Sequence, residues 1–392
     1  MKNNRTFLEK LLDGAEVKWI PLGDVADYEQ PTKYLVNSTV YNDNYPTPVL
    51  TAGKTFILGY TNEDEGIYFA SKSPVIIFDD FTTANKWVDF DFKAKSSAMK
   101  MITSKNEKFA LLKYIYYWLN TLPNNQTDGD HKRQWISNYA NKLIPIPPLP
   151  VQTEIVKILD ALTALTSELT SELTLRRKQY EYYREKLLSE EELGKVGFEW
   201  RTIDEIFHLK NGYTPSKSIK EYWENGSIPW FRMEDIRENG HILRRSLQKV
   251  SESAVKAGKL FPPNSIIIAT SATIGEHALI TIPFLANQRF TVLSLKPEYI
   301  NKFNIYFLYY YCFILDDWCL KNTTMSSFSS VDMTGFRKFL IPLIPPEEQH
   351  RIVSILDKFE TFTNSITEGL PLAIEQSQKR YEYYRELLLN FS

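Results

Sequence analysis

The stretch IPIPPLPVQTEIVKILDALTALTSELTSELTLRRKQYEYYREKLL, residues 144–188, decides the fold, because the chain contains a second version of it at residues 341–388. Both versions open on closely spaced prolines and continue through a glutamine, Gln152 or Gln349. Both then close on the hexapeptide YEYYRE, at 180–185 and 381–386. A repeat whose period is half the chain predicts two copies of one unit, each a globular domain followed by a long helix.

The regions between these repeated parts have largely diverged. Trp19 and Trp200 each open a half of the chain, and the apolar runs 75–78 and 266–269 occupy corresponding places. Residues 7–12 before Trp19 also resemble residues 183–188 before Trp200, which predicts a cyclic, pseudo-two-fold arrangement. Two similar halves with different contents favour two different binding specificities. The alternative is a duplicated scaffold whose two copies have no separate tasks.

Composition limits the class of protein. The chain has 392 residues, of which 43% are hydrophobic and 14% aromatic, so it should fold into at least two domains with substantial cores. A net charge of −2 argues against tight DNA binding by the chain alone. Neither a membrane span nor a signal peptide is expected. Cys312 and Cys319 should be buried thiols on one helix face, which fits a reducing cytoplasm.

Apolar residues follow a heptad pattern from Ile155 to Leu187, with a stutter in the tandem TSEL-TSEL segment, residues 166–173. This pattern predicts a helix over residues 151–192, roughly 60 Å long. The second copy should kink or break at Gly369-Leu370-Pro371. The two helices are predicted to form an antiparallel coiled coil, although they could instead be core helices of their own domains.

The predicted fold class is α+β, with two pseudo-repeated mixed α/β domains joined by the two long helices. The predicted divisions are a short N-terminal helix (1–18), a first domain (19–147), a central helix (148–193), a second domain (194–345) and a C-terminal helix (346–392). Aromatic helices late in each domain, at 111–119 and 305–310, are expected to be core.

Polar loops in both domains carry the residue types that contact DNA. Lysine, hydroxyl and glycine amide groups suit phosphates, while arginine, asparagine, glutamine and aspartate can read base edges. The candidates are Thr51, Lys54, Thr55, Asp79, Thr82, Thr83, Lys86, Lys93, Lys95, Lys132, Arg133, Asn211, Tyr213, Thr214, Ser216, Lys217, Arg232, Ser271, Thr273, Asn287, Gln288 and Arg289. For Asp79 and Asp80, a turn or base-reading role is favoured over a nuclease role.

Motifs for catalysis are missing from the sequence: it has no glycine-rich cofactor loop, no amino-methyltransferase tetrapeptide, no P-loop and no metal-ligand spacing. The tyrosines of the two YEYYRE segments could be core or could face a partner, and some of each is expected. The candidates for partner docking are Gln152, Tyr180, Tyr182, Arg184, Gln349, Tyr381, Tyr383 and Arg385.

These features resemble the specificity subunit of type I restriction-modification enzymes over essentially the whole chain. The most specific parts are the paired Gln-x-x-Ile-x-x-x-Leu-Asp openings, the YEYYRE helices, and the segment Gly212–Lys217 together with residues 222–226 and 228–230. The TSEL repeat and residues 78–101 are most similar to the type IC branch, although that branch carries TAEL-like repeats.

The resemblance implies a subunit without catalytic residues of its own. Each domain would recognise one half of a bipartite, asymmetric site in double-stranded DNA, and the helices would set the spacer. Two methyltransferase (M) subunits carrying S-adenosylmethionine would dock on the helices and methylate adenine. Two motor-nuclease (R) subunits would use ATP and Mg²⁺. No cofactor, metal or membrane contact is expected for the chain itself.

Overall fold

The computed structural model describes residues 6–53, 55–123, 133–324, 329–365 and 368–391. Internal contacts divide the chain into two compact units, Met1–Leu169 with Ile374–Ser392, and Thr170–Ala373. Each unit therefore combines one globular domain with parts of both long helical segments. The sequence predicted five divisions, in which the helices are separate from the domains. That division stays a prediction.

Unit 1 is a mixed α/β domain. Its strands are β1 (Lys18–Pro21), β2 (Ala26–Glu29), β3 (Thr47–Leu50), β4 (Ile57–Thr61), β5 (Val75–Asp79), β6 (Asn85–Val88), β7 (Lys93–Ala94), β8 (Met99–Ser104) and β9 (Leu143–Ile146). Its helices are α1 (Phe7–Leu12), α2 (Leu22–Val25), α3 (Leu112–Leu119), α4 (Gln134–Ser137), the first part of α5 (Leu149–Leu187) and most of α12 (Gly369–Leu389).

Unit 2 follows the same general plan, with one helix and one strand added between the strands that correspond to β3 and β4. Its strands are β10 (Glu199–Thr202), β11 (Phe207–Asn211), β12 (Ile228–Phe231), β13 (Ile242–Leu243), β14 (Gln248–Val250), β15 (Ser265–Ala269), β16 (His277–Ile280), β17 (Leu285–Ala286), β18 (Phe290–Leu295), β19 (Thr323–Thr324), β20 (Ser330–Val331) and β21 (Leu340–Leu343). Its helices are the rest of α5, α6 (Glu190–Gly194), α7 (Ile203–Ile206), α8 (Met233–Asn239), α9 (Ile305–Lys321), α10 (Met333–Lys338) and α11 (Pro346–Asn364).

The two domains share a strand order despite their diverged sequences, and unit 2 adds the strand β13 at one edge of its larger sheet. The larger sheet is β2-β8-β5-β6 in unit 1 and β11-β18-β15-β16-β13 in unit 2. The smaller sheet is β4-β3-β7 in one and β14-β12-β17 in the other, each with one antiparallel and one parallel pairing. This shared topology confirms the prediction of two pseudo-repeated mixed α/β domains.

Central strands and aromatic helices form the two cores. β5 and β15 are buried along their whole length, because other elements cover both faces of the larger sheets, and they therefore appear in the sequence as continuous apolar runs. Helices α3 and α9 pack against these sheets, as expected from their aromatic content. Cys312 and Cys319 are buried free thiols within α9, which confirms that prediction.

Helix α5 spans 39 residues and passes through the TSEL repeat without a break. It ends at Leu187, five residues before the predicted end, because Ser189 caps a separate short helix by accepting a hydrogen bond from the backbone N–H of Glu192. The prediction of one helix to residue 192 was therefore wrong at this end.

The second helical segment is broken next to Gly369-Leu370-Pro371, as predicted, but this tripeptide opens the second helix instead of dividing the two. Helix α11 ends at Asn364 and α12 begins at Gly369, which has a φ of +78°. A Cβ at Gly369 would lie only 2.6 Å from the carbonyl oxygen of Phe362, so a larger residue would not fit there. Ile366, a predicted position of the helix seam, lies outside the described residues.

The long helices pair antiparallel, as predicted, and the same helices also enter the domain cores. In unit 1, the hydroxyls of Thr166 in α5 and Ser377 in α12 lie 2.8 Å apart. In unit 2, the ring of Tyr183 in α5 stacks on Phe359 in α11 with a centroid distance of 5.4 Å. Ile155 is fully buried in the core of unit 1. The sequence offered coiled-coil pairing and a place in the domain cores as alternatives. These helices have both roles.

In the part of the chain that the structure describes, none of the helices has the length and apolar character needed to cross a bilayer.

Candidate nucleic-acid interface and its support

Several predicted DNA-contact residues of unit 2 come together in one cleft of about 700 Å³. Its lining comes from β12 and β14 of the smaller sheet, from the start of α8 and from the segments 214–224 and 287–290. Predicted residues in its lining are Thr214, Lys217, Arg232, Asn287, Gln288 and Arg289. Eight further residues complete the lining and were not among the predicted contacts: Lys220, Trp223, Glu224, Trp230, Met233, Glu234, Gln248 and Phe290.

Two tryptophans fix the loop that follows β11. The indole N–H of Trp230 donates to the carbonyl of Tyr213, and that of Trp223 donates to the carbonyl of Ser216, both at 3.0 Å. The two rings meet edge to face with centroids 5.0 Å apart. Tryptophans 223 and 230 follow closely after the polar loop 212–217 in the sequence. This proximity was the signal that could have identified them as part of the site.

Gly212 allows this loop to approach the opposite wall. A Cβ at Gly212 would collide with the backbone carbonyl oxygens of Ala286 and Asn287, so the closeness depends on glycine. Across the contact, Gln288 accepts a hydrogen bond from the hydroxyl of Thr214. The segment 212–217 and the segment 286–289 therefore form a joined pair of loops at the cleft.

Other unit 2 candidates lie at or near this loop pair. Asn211 is exposed and accepts from the Thr291 hydroxyl at 3.2 Å. Ser271 and Thr273 follow Thr270, whose backbone N–H donates to the carbonyl of Arg289. Tyr213 has a structural role instead, because its hydroxyl donates to the carbonyl of Ala254 and accepts from a backbone N–H.

The unit 1 candidates fall into two groups. In the first, the Thr51 hydroxyl donates to the carbonyl of Thr55 at 2.7 Å, and the backbone N–H of Lys95 donates to the neighbouring Leu50. The second group comprises the exposed residues Thr82 and Lys86 of the β5–β6 hairpin and Arg133 at the start of α4. Lys54 and Lys132 lie outside the described residues.

Three unit 1 candidates prove to be buried, which corrects their predicted role. Asp79 is 7% exposed and accepts hydrogen bonds from the backbone N–H groups of Phe81 and Thr82, so it has the favoured turn role. Thr83, 1% exposed, sits in that turn with a φ of +64°. Side chains that are buried in this turn are poorly placed to reach a base.

Lys93 is the third buried candidate. Its ammonium lies 2.9 Å from the carboxylate of Glu63 and donates to the carbonyl of Glu65 at 2.6 Å. The hydrogen bond from Lys93 lowers the pKa of Glu63, which also accepts from the backbone N–H groups of Asn37 and Ser38. The lysine thus anchors a loop instead of facing solvent.

A second buried ion pair supports the hairpin group. Asp80 and Lys100 are 2% and 1% exposed, with their charged atoms 3.6 Å apart. Asp80 also accepts from the backbone N–H of Trp135 at 2.8 Å, which ties the start of α4 to the end of β5. This contact positions Arg133 beside the hairpin. A turn or base-reading role was predicted for Asp80, and its burial in this ion pair leaves it poorly placed to reach a base; Lys100 was not among the predicted site residues.

Gln152 and Gln349, predicted to dock a partner, are fully buried and have equivalent structural roles. Gln152 accepts from the backbone N–H of Leu111 at 3.0 Å and donates to the carbonyls of Phe109 and Pro147. Because their amides are already hydrogen-bonded inside the domains, a docking role for the two glutamines is withdrawn.

The equivalent contacts of Gln349 begin with the backbone N–H of Asn304, at 2.7 Å. Its amide donates to the carbonyls of Lys302 and Ile344, each at 2.9 Å. Each glutamine therefore joins three backbone groups at the start of its long helix.

The aspartates of the repeated segments have a matching role. Tyr117 of α3 donates its hydroxyl to Asp160, and Tyr310 of α9 donates to Asp357 at 2.6 Å. Burial, with these carboxylates adding to it, raises the pKa of both tyrosines well above the ordinary value. The repeated Gln and Asp positions thus fasten each long helix to the aromatic helix of its own domain.

Some tyrosines of the YEYYRE segments are buried and others are exposed, as expected. Tyr180 is 5% exposed, whereas Tyr182 and Tyr383, at equivalent positions of the two copies, are 57% and 61% exposed. The guanidinium of Arg184 lies 4.0 Å from the ring centroid of Phe313. Tyr381 packs against Tyr117 in the same unit, and Arg385 lies over Tyr381.

The family model for the type I restriction modification DNA specificity domain matches residues 15–175 and again residues 195–376. The Escherichia coli type I restriction enzyme EcoR124I/EcoR124II specificity subunit is 54% identical over 98% of this chain and 97% of its own length. A putative type I restriction enzyme specificity subunit of Haemophilus influenzae, S.HindORF215P, is 37% identical over the full length of both chains.

Solved structures share the fold at low sequence identity. The crystal structure of the type I restriction-modification system S subunit from M. genitalium aligns with a TM-score of 0.60 at 14% identity, covering 97% of this chain and 98% of that one. A chain from a structural study of type I R-M complex assembly and conformational transition aligns with a TM-score of 0.57 at 18% identity, covering 96% and 98%.

Proposed function

The chain belongs to the family of type I restriction-modification specificity subunits, with two target-recognition domains, and on this premise we propose that each domain reads one half of a bipartite, asymmetric DNA site. The observation that carries the proposal is the combination of a shared strand order, to which the second domain adds β13, with different exposed loops. Equal folds present equal surfaces to DNA, while different loop residues select different bases.

In the second domain, we assign reading to the cleft. Lys217 and Lys220 are exposed and suit phosphate contacts, which set the position of a protein on DNA. Arg232, Gln248 and Asn287 are partly enclosed side chains of types that pair with base edges. In the first domain, the exposed candidates that remain are Thr55, Thr82, Lys86 and Arg133.

The repeated exposed residues support docking of two identical partners. Tyr182 and Tyr383 are exposed at equivalent positions, and so are Trp19 and Trp200, which face Pro145 and Pro342 across equivalent two-stranded sheets. An exposed aromatic side chain kept in both copies, although the domains have diverged, is suited to a ligand that both copies share. We assign these positions to two methyltransferase subunits, one for each copy.

The chemistry would then belong to the partners. The methyltransferase subunits would bind S-adenosylmethionine and methylate adenine, and two motor-nuclease subunits would use ATP and Mg²⁺ to translocate and cleave. The specificity subunit would contribute no catalytic residue. Its net charge of −2 is compatible with this division, because the partners would supply additional cationic contacts to the phosphates. The assembly would act in the cytoplasm.

Sequencing of methylated bases in cells that carry this chain with its methyltransferase subunit tests the proposal. The expected result is a split motif with a methylated adenine in each half and a fixed spacer between the halves. A cell with the methyltransferase alone is the control and should lack this motif. A continuous palindromic motif, or no methylation with a competent methyltransferase, would overturn the proposal.

A further inference from the structure

Arg232 differs from the other cations of the unit 2 cleft in being held in place. Its guanidinium lies 5.6 Å from the ring centroid of Trp230, and its Nε lies 3.8 Å from a carboxylate oxygen of Glu234. Its Nε is enclosed and has no hydrogen-bond partner among the described residues. Lys217, Lys220 and Arg289, in contrast, are exposed. The Arg232 side chain is therefore packed against Trp230 and Glu234, and its Nε donor is unused.

The backbone at Arg232 is held by a buried carboxylate. Asp235 is fully buried, and its two oxygens accept from the backbone N–H groups of Arg232 at 2.7 Å and Leu247 at 2.6 Å. These bonds tie the end of β12 to the segment that leads into β14. Gln248, the next residue, faces Trp230 across the sheet. A second connection runs from the backbone N–H of Asn287 to the carbonyl of Phe231 at 2.9 Å.

We propose that Arg232 determines specificity by reading a guanine in the half-site of the second domain, and that Asp235 is the positioning residue for Arg232. The proposal rests on the proposed function. Guanine presents two acceptors, O6 and N7, side by side at its major-groove edge, and the planar guanidinium fork matches that pair. Because the Trp230 ring restricts the guanidinium, less conformational entropy is lost when both hydrogen bonds form.

Asp235 cannot itself read a base in this arrangement. It has no exposed surface, and each of its oxygens is occupied by a backbone N–H. Any effect of Asp235 on specificity must therefore pass through the residues whose backbone it holds, Arg232 and the segment Leu247–Gln248, and the double variant below separates Arg232 from that segment.

The test uses the assembled specificity–methyltransferase complex and a set of duplexes with single-base changes in the motif of the unaltered protein. Arg232→Lys keeps the positive charge but removes the planar guanidinium fork that matches the two acceptors of guanine. We expect discrimination at one guanine of one half-site to fall roughly 5- to 150-fold, with the other half-site and the spacer unchanged. Arg237→Lys, the same substitution at an exposed position of α8, is the matched control and should leave the motif unchanged.

Asp235→Asn tests the positioning role, because the amide can keep only one of the two acceptor positions. Asp235→Asn should reduce discrimination at the same guanine by a smaller factor. The double variant of Asp235→Asn with Arg232→Lys should discriminate no worse than Arg232→Lys alone. A merely structural aspartate would instead lower binding to all duplexes equally, with additive effects.

The outcomes separate the two proposals. If the unaltered protein directs no split motif, the proposed function fails. If a split motif exists but Arg232→Lys leaves discrimination at guanine intact, or reduces discrimination at a different base, the assignment of Arg232 fails while the proposed function stands.

Discussion

Single buried polar residues determine how each recognition domain holds its long helix. Gln152 and Gln349 lie at equivalent positions, and each fully buried amide satisfies three backbone groups. Leaving such groups without partners is costly, on the order of 1–3 kcal/mol for each. These residues are repeated in the two copies because the fold requires them, although their polarity in the sequence suggested a surface role.

Gln152→Leu should therefore lower the free energy of unfolding of unit 1 by about 3 kcal/mol, because it leaves one backbone N–H and two carbonyls unpaired. Denaturant unfolding followed by circular dichroism measures this change. The exposed Gln376 in α12 provides the control, since Gln376→Leu should change stability by less than about 0.5 kcal/mol. Equal effects of the two substitutions would contradict the assigned role of the buried amide.

At the scale of elements, helix α5 is continuous through the tandem TSEL segment, and Leu169 and Leu173 are half-buried at the ends of the two repeats. A four-residue unit adds ~6 Å to a helix and rotates it by about 400°, which nearly restores the original facing direction. The repeat is thus suited to changing length while preserving the side of the helix that packs.

Insertion of one further TSEL unit after Leu173 should lengthen the spacer between half-sites by about one or two base pairs, because B-DNA rises ~3.4 Å per pair. Sequencing of methylated sites gives the spacer directly. Ser171→Ala, which changes the repeat without changing its length, should leave the spacer as it is. An altered half-site with the original spacer would show that the helix does not set this distance.

At the scale of the whole molecule, buried tyrosines couple folding to alkaline pH. Burial raises the pKa of Tyr114, Tyr117, Tyr309 and Tyr310 well above the ordinary value of about 10. In the unfolded chain these groups lose their protons near pH 10, whereas in the folded chain they keep them. Their contribution to stability is thus fully present below about pH 10 and is lost as pH rises further.

Phenolate absorbance from these buried tyrosines should consequently appear together with the loss of helical circular dichroism in a titration above pH 10. The same titration in strong denaturant, where every tyrosine is exposed, provides the reference curve. Burial also raises the pKa of Cys319 to about 12, so thiol reagents should label both cysteines only on unfolding. Complete tyrosine ionisation with intact circular dichroism would contradict this coupling.

The sequence by itself determined the features that depend on local pattern. The repeat predicted two similar α+β domains, the heptads predicted the helices, and Gly369 with Pro371 predicted the break between α11 and α12. These properties follow from residues close together in the chain, where periodicity and backbone preference act directly. The specific motifs also indicated the family, because they depend on short stretches of sequence.

Only the tertiary structure decided which polar residues face solvent. Lys93 and Lys86 look alike in the sequence, but Lys93 is buried by its ion pair with Glu63, 30 residues earlier, whereas Lys86 is exposed. Likewise, Arg232 is distinguished from Arg289 by Trp230 and by the carboxylate of Asp235, which holds a strand end to a distant segment. Burial and orientation arise from contacts between remote parts of the chain, so a local pattern of polar residues cannot reveal them.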